Sequence, residues 1–100
     1  MIHLRRVVGS SMLPTLKDGQ LVIVSTFRNP QVGDVVVAIL NKREVIKRVT
    51  AISKDWHVQL LGDNRSASTD SRHHGSIPKR HILGVVIWPR HLSKQKIKLY

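Results

Sequence analysis

Short runs rich in Val, Ile and Leu recur along this chain between polar turns, and none keeps a convincing 3.6-residue period. QLVIV (20–24) follows the turn-like Lys17-Asp18-Gly19 and predicts a short strand. GDVVVAILNKREVIKRVTAI (33–52) holds two β-branched runs joined at Asn41-Lys42, the form of a β-hairpin. WHVQLL (56–61) alternates and predicts a further strand, and HILGVVIW (81–88) another, with Gly84 marking a bulge or a close backbone approach. A short helical turn is expected after Pro14, because proline is tolerated at a helix start. The pattern as a whole predicts a mainly β fold, with antiparallel sheets curled into a barrel-like shape.

One stretch breaks the alternation. GDNRSASTDSRHHGSIP (62–78) is almost devoid of apolar residues and lies between two predicted strands. A loop of this length inside a small domain is usually functional or disordered. Its Ser, Asp, Asn and Gly residues suit side chains bonded to their own backbone, which favours an ordered loop.

Length and composition narrow the choices. One hundred residues form a single small domain (1–100), with a basic tail at about 91–100. Cysteine is absent, which excludes disulfides, a thiolate nucleophile and thiolate-ligated zinc, but leaves the compartment open. A formal charge of +11 raises affinity for polyanions. The basic residues are spread along the chain, without a helical reading motif or a run of aromatics, so specific nucleic-acid binding is disfavoured. No stretch approaches the roughly 18–20 apolar residues that span a bilayer, and MIHLRRVVGSSM has no apolar core of signal-peptide length. As it stands the chain is expected to be soluble, in the cytoplasm or peripheral to a membrane. PRHLSKQKIKLY (89–100) reads as a solvated tail, with contact to an anionic membrane as the alternative.

Candidate chemistry centres on GSSMLPTL (9–16), where two serines precede a proline. A nucleophilic serine needs a base. Six histidines are present (His3, His57, His73, His74, His81 and His91), and each would need a carboxylate to orient it. Asp18, Asp34, Glu44 and Asp55 belong to turns or strand ends, and Asp63 and Asp70 to the polar loop, so a histidine triad is weakly supported. A histidine metal site is weaker still, since no pair has helical ligand spacing. The alternative base is a lysine desolvated enough to be neutral near pH 7. Lys47, in EVIKRVTAI, shares a strand face with Val45 and Val49, while Ile46, Arg48 and Thr50 share the other. The competing reading is an exposed lysine on an edge strand.

Four stretches in order resemble the type I signal peptidases, a family of Ser-Lys serine endopeptidases. They are Ser11 to Leu16 (Ser-Met-x-Pro-Thr-Leu), GDVVVA (33–38), Lys47-Arg48-Val49, and Gly62-Asp63-Asn64 followed by Ser68 to Arg72 (Ser-x-Asp-Ser-Arg). The resemblance covers about 80 of the 100 residues. It implies a fold of the signal-peptidase catalytic-core type, with Ser11 as nucleophile, Ser10 as its neighbour and Lys47 as general base. It also implies that Ser68 holds the lysine amine, that Asp70 and Arg72 brace their loop, and that Gly62, Asp63 and Asn64 shape the wall of the site. The Ser11 backbone N–H would serve the oxyanion hole, Gly9 occupies a position where some members carry a hydroxyl, and Met12 and Leu13 would line the substrate groove.

The reaction implied is removal of N-terminal signal peptides or propeptides through an acyl-enzyme, needing no metal or organic cofactor. The partner would be a protein or peptide substrate, bound as an added β-strand. Full signal peptidases carry membrane anchors and often a second β domain; neither is read in these 100 residues, and an anchor upstream of Met1 is left open. The polar loop is also similar to that of proteases that mature nickel-type superoxide dismutase by removing a propeptide, the first alternative. A non-catalytic basic β domain binding nucleic acid or anionic lipid is the second, but it would need neither Ser11 nor Lys47. The related self-cleaving repressors lack the Gly-Asp-Asn and Asp-Ser-Arg loop.

Overall fold

A computed structural model describes residues 1–64 and 76–90. The predicted runs become strands: β2 (Leu21–Ser25), the β3 (Val35–Leu40) and β4 (Arg43–Ile52) hairpin, β5 (His57–Leu61) and β7 (Ile82–Trp88). Two more were not anticipated, β1 (Ile2–Arg6) and β6 (Ser76–Pro78), the latter at the end of the polar stretch. A single 3₁₀ turn, Lys79–His81, precedes β7. All seven strands form one antiparallel sheet in the order β1-β2-β7-β3-β4-β5-β6.

The mainly β fold with a curled sheet is therefore as expected. The curl follows from a single contact. β1 and β4 are four strand positions apart, about 19 Å in a flat sheet, yet Arg5 Nε lies 2.6 Å from Glu44 Oε1. Only a sheet rolled towards a half-barrel brings those side chains together.

β3 sits at the centre and is buried on both faces, which explains its unbroken apolar run. Val35 and Val37 join Val7, Met12, Leu16, Val22, Val24 and Val86 in one core layer, against which Ile46 packs. Val36 and Ala38 join Val49, Val58, Leu60, Ile77 and Val85 in the other, with Val45 beside them. The sequence pattern of β1 hid it for the opposite reason. Its apolar Ile2 and Leu4 are exposed, while His3 and Arg5 are half-buried.

Local chemistry sets the turns. Leu40 pairs with Arg43, leaving Asn41 (φ 53°) and Lys42 (φ 65°) as a two-residue loop with both residues left-handed, the geometry that matches strand twist. Gly84 pairs with Val37 next to a register shift between β3 and β7. A Cβ there would lie 2.6 Å from Val24 Cγ1 and 2.8 Å from Ser25 O, so the bulge and the close approach coincide. The turn near Pro14 encloses the proline instead of following it, because Leu16 N–H donates to Met12 C=O at 2.9 Å.

Gly84→Ala should therefore destabilise the domain by about 1–3 kcal/mol in urea unfolding, because the backbone carbonyl cannot give way. Lys42→Gly should raise stability by roughly 1 kcal/mol, since glycine carries no penalty in the left-handed region. An unchanged or lowered midpoint for the second variant would contradict this turn geometry.

Candidate active site

The path from β1 into the serine loop is fixed by backbone bonds. Val7 N–H donates to Gln20 C=O (2.8 Å), and Val7 C=O accepts from Gly19 N–H (2.7 Å). The chain then reverses at Gly9, whose φ of +86° suits glycine and whose N–H donates to Asp18 Oδ1 at 2.8 Å. Beyond it, Met12 and Leu16 are fully buried and peg the loop into the core. Ser11, between the turn and the first peg, stays half-buried.

Lys47 reaches the same place from β4. Its cross-strand partner is Val36, which is fully buried. Lys47 itself is half-buried, on the side of the strand carrying Val45 and Val49. Ser11 and Lys47 line one groove of about 470 Å³, whose walls come from residues 5–8, Met12 and residues 43–46. Met12 forms part of its floor from within the core, whereas Leu13, 38 % exposed, lies outside the lining.

The two halves are joined by a network centred on Asp63. Arg48, adjacent to Lys47, donates from Nε to Asp63 Oδ1 (3.0 Å) and from Nη2 to Oδ2 (2.7 Å). Its Nη1 donates to Gly33 C=O at 2.7 Å. The Thr15 hydroxyl donates to Asp63 Oδ2 at 2.5 Å. Asn64 completes the clamp: its N–H donates to Ser11 C=O (2.8 Å) and its Nδ2 to Ser10 C=O (2.9 Å). Both side chains of the Arg48–Asp63 pair are only 4 % exposed. Gly62, beside it, is buried.

Sequence reasoning placed Asp63 in a wall-forming turn but missed Arg48 and Thr15. The available signal was an arginine on the same face as Ile46 in a strand otherwise rich in apolar residues. Ser68, Asp70 and Arg72 lie outside the described residues, as do His73, His74 and His91.

Elsewhere, Ser53, Asp55 and His57 meet in the β4–β5 turn. The Ser53 hydroxyl donates to Asp55, and this bond is the main reason the Asp55 carboxyl is held below its usual range. His57 Nδ1 is 3.3 Å from Asp55 Oδ2 but accepts no proton from the serine, so the cluster stabilises a turn and is not a charge-relay arrangement. Among the described residues no group of His, Asp and Glu is arranged to hold a metal ion, and no helix is long and apolar enough to cross a membrane.

Ser11 and Lys47 thus line one groove of a curled β sheet. Residues 2–87 match the family described as Peptidase S24-like, and the chain belongs to that family. It is 31 % identical over 118 residues to mitochondrial inner membrane protease subunit 1 of Schizosaccharomyces pombe, covering 89 % of this chain and 75 % of that protein. It is 33 % identical over 110 residues to the mouse (Mus musculus) protein of the same name, covering 81 % and 66 % respectively. A third relative is a probable thylakoidal processing peptidase 2, chloroplastic, of Arabidopsis thaliana, 28 % identical over 138 residues, with coverage of 85 % and 38 %. The resemblance to the type I signal peptidases is thus borne out, and the protein is a peptidase.

Asp63→Ala should cost about 3–5 kcal/mol in denaturant unfolding, because it strands a buried guanidinium. Replacing both partners, Arg48→Met with Asp63→Leu, should lose far less. Equal losses from the single and double variants would show that the buried charge is not what holds the turn.

Proposed function

We propose that the protein is a serine endopeptidase in which Ser11 is the nucleophile and Lys47 the general base, removing N-terminal signal peptides or propeptides through an acyl-enzyme. The observation that carries this reading is the convergence of Ser11 and Lys47, from different elements, on one groove. The names of the relatives, an inner membrane protease and a processing peptidase, support the substrate class. A basic domain that only binds polyanions would need no serine and lysine in the same groove.

The steps follow from the side chains. A neutral Lys47 amine takes the Ser11 hydroxyl proton as the oxygen attacks the peptide carbonyl. The resulting ammonium returns that proton to the departing amine, leaving an acyl-serine ester. Water, deprotonated by the same amine, then releases the acid and frees Ser11. Val49, on the same strand face as Lys47, is buried, and Val45 beside it is partly buried; an apolar setting of this kind is what a lysine base calls for. The Ser11 backbone N–H is assigned to the developing oxyanion. Ser68 is assigned to orient the amine, with Asp70 and Arg72 bracing their loop. The chemistry calls for no cofactor. Among the described residues β1 pairs with β2 alone, so a peptide can add as a strand along its other edge and enter the groove extended.

Ser11→Ala and Lys47→Ala should each lower cleavage of a signal-peptide or propeptide substrate by at least roughly 10²–10⁴-fold, with circular dichroism unchanged. An amine serves as base only when unprotonated, so the rate should rise with pH to a plateau between about pH 5 and pH 9. A flat profile, or full activity in Lys47→Ala, would refute the lysine as base.

A further inference from the structure

The groove has a second chemical character, set by its far end. Along β4 it runs back from Lys47 to Arg43, about 13 Å of strand. Arg5 and Arg6 enter the same lining from β1, and the Arg5–Glu44 contact places the two strands opposite each other there. Glu44 is the single carboxylate among the described lining residues, and Arg5 already engages it at 2.6 Å. Among the described residues Arg6 donates to a carbonyl, Gly19 O, at 2.8 Å. Arg43 is exposed, and among the described residues no carboxylate forms an ion pair with Arg6 or Arg43. Among the described lining residues, three arginines against one glutamate make this end of the groove positive, whatever the protonation of Lys47.

We propose that this arginine rim selects peptides bearing Asp or Glu about four residues from the scissile bond. The inference rests on the assignment of Ser11 and Lys47 as the reacting pair, which places the cut at the other end of the groove. An extended peptide rises about 3.3 Å per residue, so four residues span the distance from Lys47 to Arg43. A guanidinium pairs with a carboxylate through two parallel N–H···O bonds, and it does so better than with any neutral side chain. The rim is open to water, so the selectivity is modest and sensitive to salt. Glu44 restrains it by occupying Arg5.

The test uses fluorescent peptides with small residues at the cut and neutral flanks. The variants carry paired Asp, or paired Lys, four and five residues before or after the bond. Cleavage is followed with the native protein, and binding with Ser11→Ala, at about 20 mM and about 500 mM salt. One Asp placement should improve both kcat/KM and Kd by about three- to tenfold at low salt, with the gain fading at high salt, while Lys at that place weakens both. Arg43→Glu should abolish the Asp preference and Glu44→Gln should enlarge it. Arg80→Glu makes the same charge change at an exposed residue outside the groove and should preserve it. Equal handling of acidic and neutral peptides in both assays would overturn the proposal, as would loss of the preference in Arg80→Glu to the same extent as in Arg43→Glu. If no peptide is cleaved but Ser11→Ala still prefers acidic peptides in an Arg43-dependent way, the dyad assignment fails and the rim stands.

Discussion

The buried ion pair between Arg48 and Asp63 is the constraint on which the site depends. Two charges withdrawn from water cost several kcal/mol each, and the cost is offset only when their hydrogen-bonding capacity is met. Here three guanidinium nitrogens are used, two on the Asp63 carboxylate and one on Gly33 C=O, and the Thr15 hydroxyl adds a bond to the same carboxylate. The consequence is positional. Fixing Arg48 fixes the backbone of Lys47 beside it. Fixing Asp63 holds Thr15 in the serine loop, and its neighbour Asn64 grips the carbonyls of Ser10 and Ser11. The pair thereby orients both sides of the groove while standing outside its lining.

Curvature provides the other half. A sheet with a doubly buried central strand can support a core layer on each side, and rolling it brings edge strand β1 round to face β4. The Gly84 approach to Val24 and Ser25 tightens that roll where β7 crosses between β2 and β3. The groove between β1 and β4 is lined by charged as well as apolar side chains, and β1 keeps His3 and Arg5 half-buried while Ile2 and Leu4 stay exposed. The chain's large positive charge is thus concentrated in part where an extended peptide would lie.

Much of this is legible in the order of the residues. Continuous β-branched runs announce β2, β3, β4 and β7, because residues stiff at χ1 suit pleated, buried surfaces. Asn41-Lys42 marks its hairpin, and Gly84 marks its bulge. β1 escapes because a strand facing a groove reverses the usual polarity of its two faces, and β6 because three residues are too few to show a period. The motifs make Ser11 and Lys47 candidates. Nothing local to either residue tells that they share a groove.

By itself, then, the sequence determined five of the seven strand segments, the β3–β4 hairpin turn, the membership of a peptidase family and the short list of reactive side chains. Those properties are set by residues within a few positions of one another. Only the tertiary structure decided that Arg48 is a buried partner of Asp63, that Thr15 and Asn64 tie the serine loop to that pair, and that Arg5 faces Glu44 across a rolled sheet. Those contacts join strands that are distant in the chain, and their geometry depends on twist and closure summed over the whole sheet, which no short window of residues encodes.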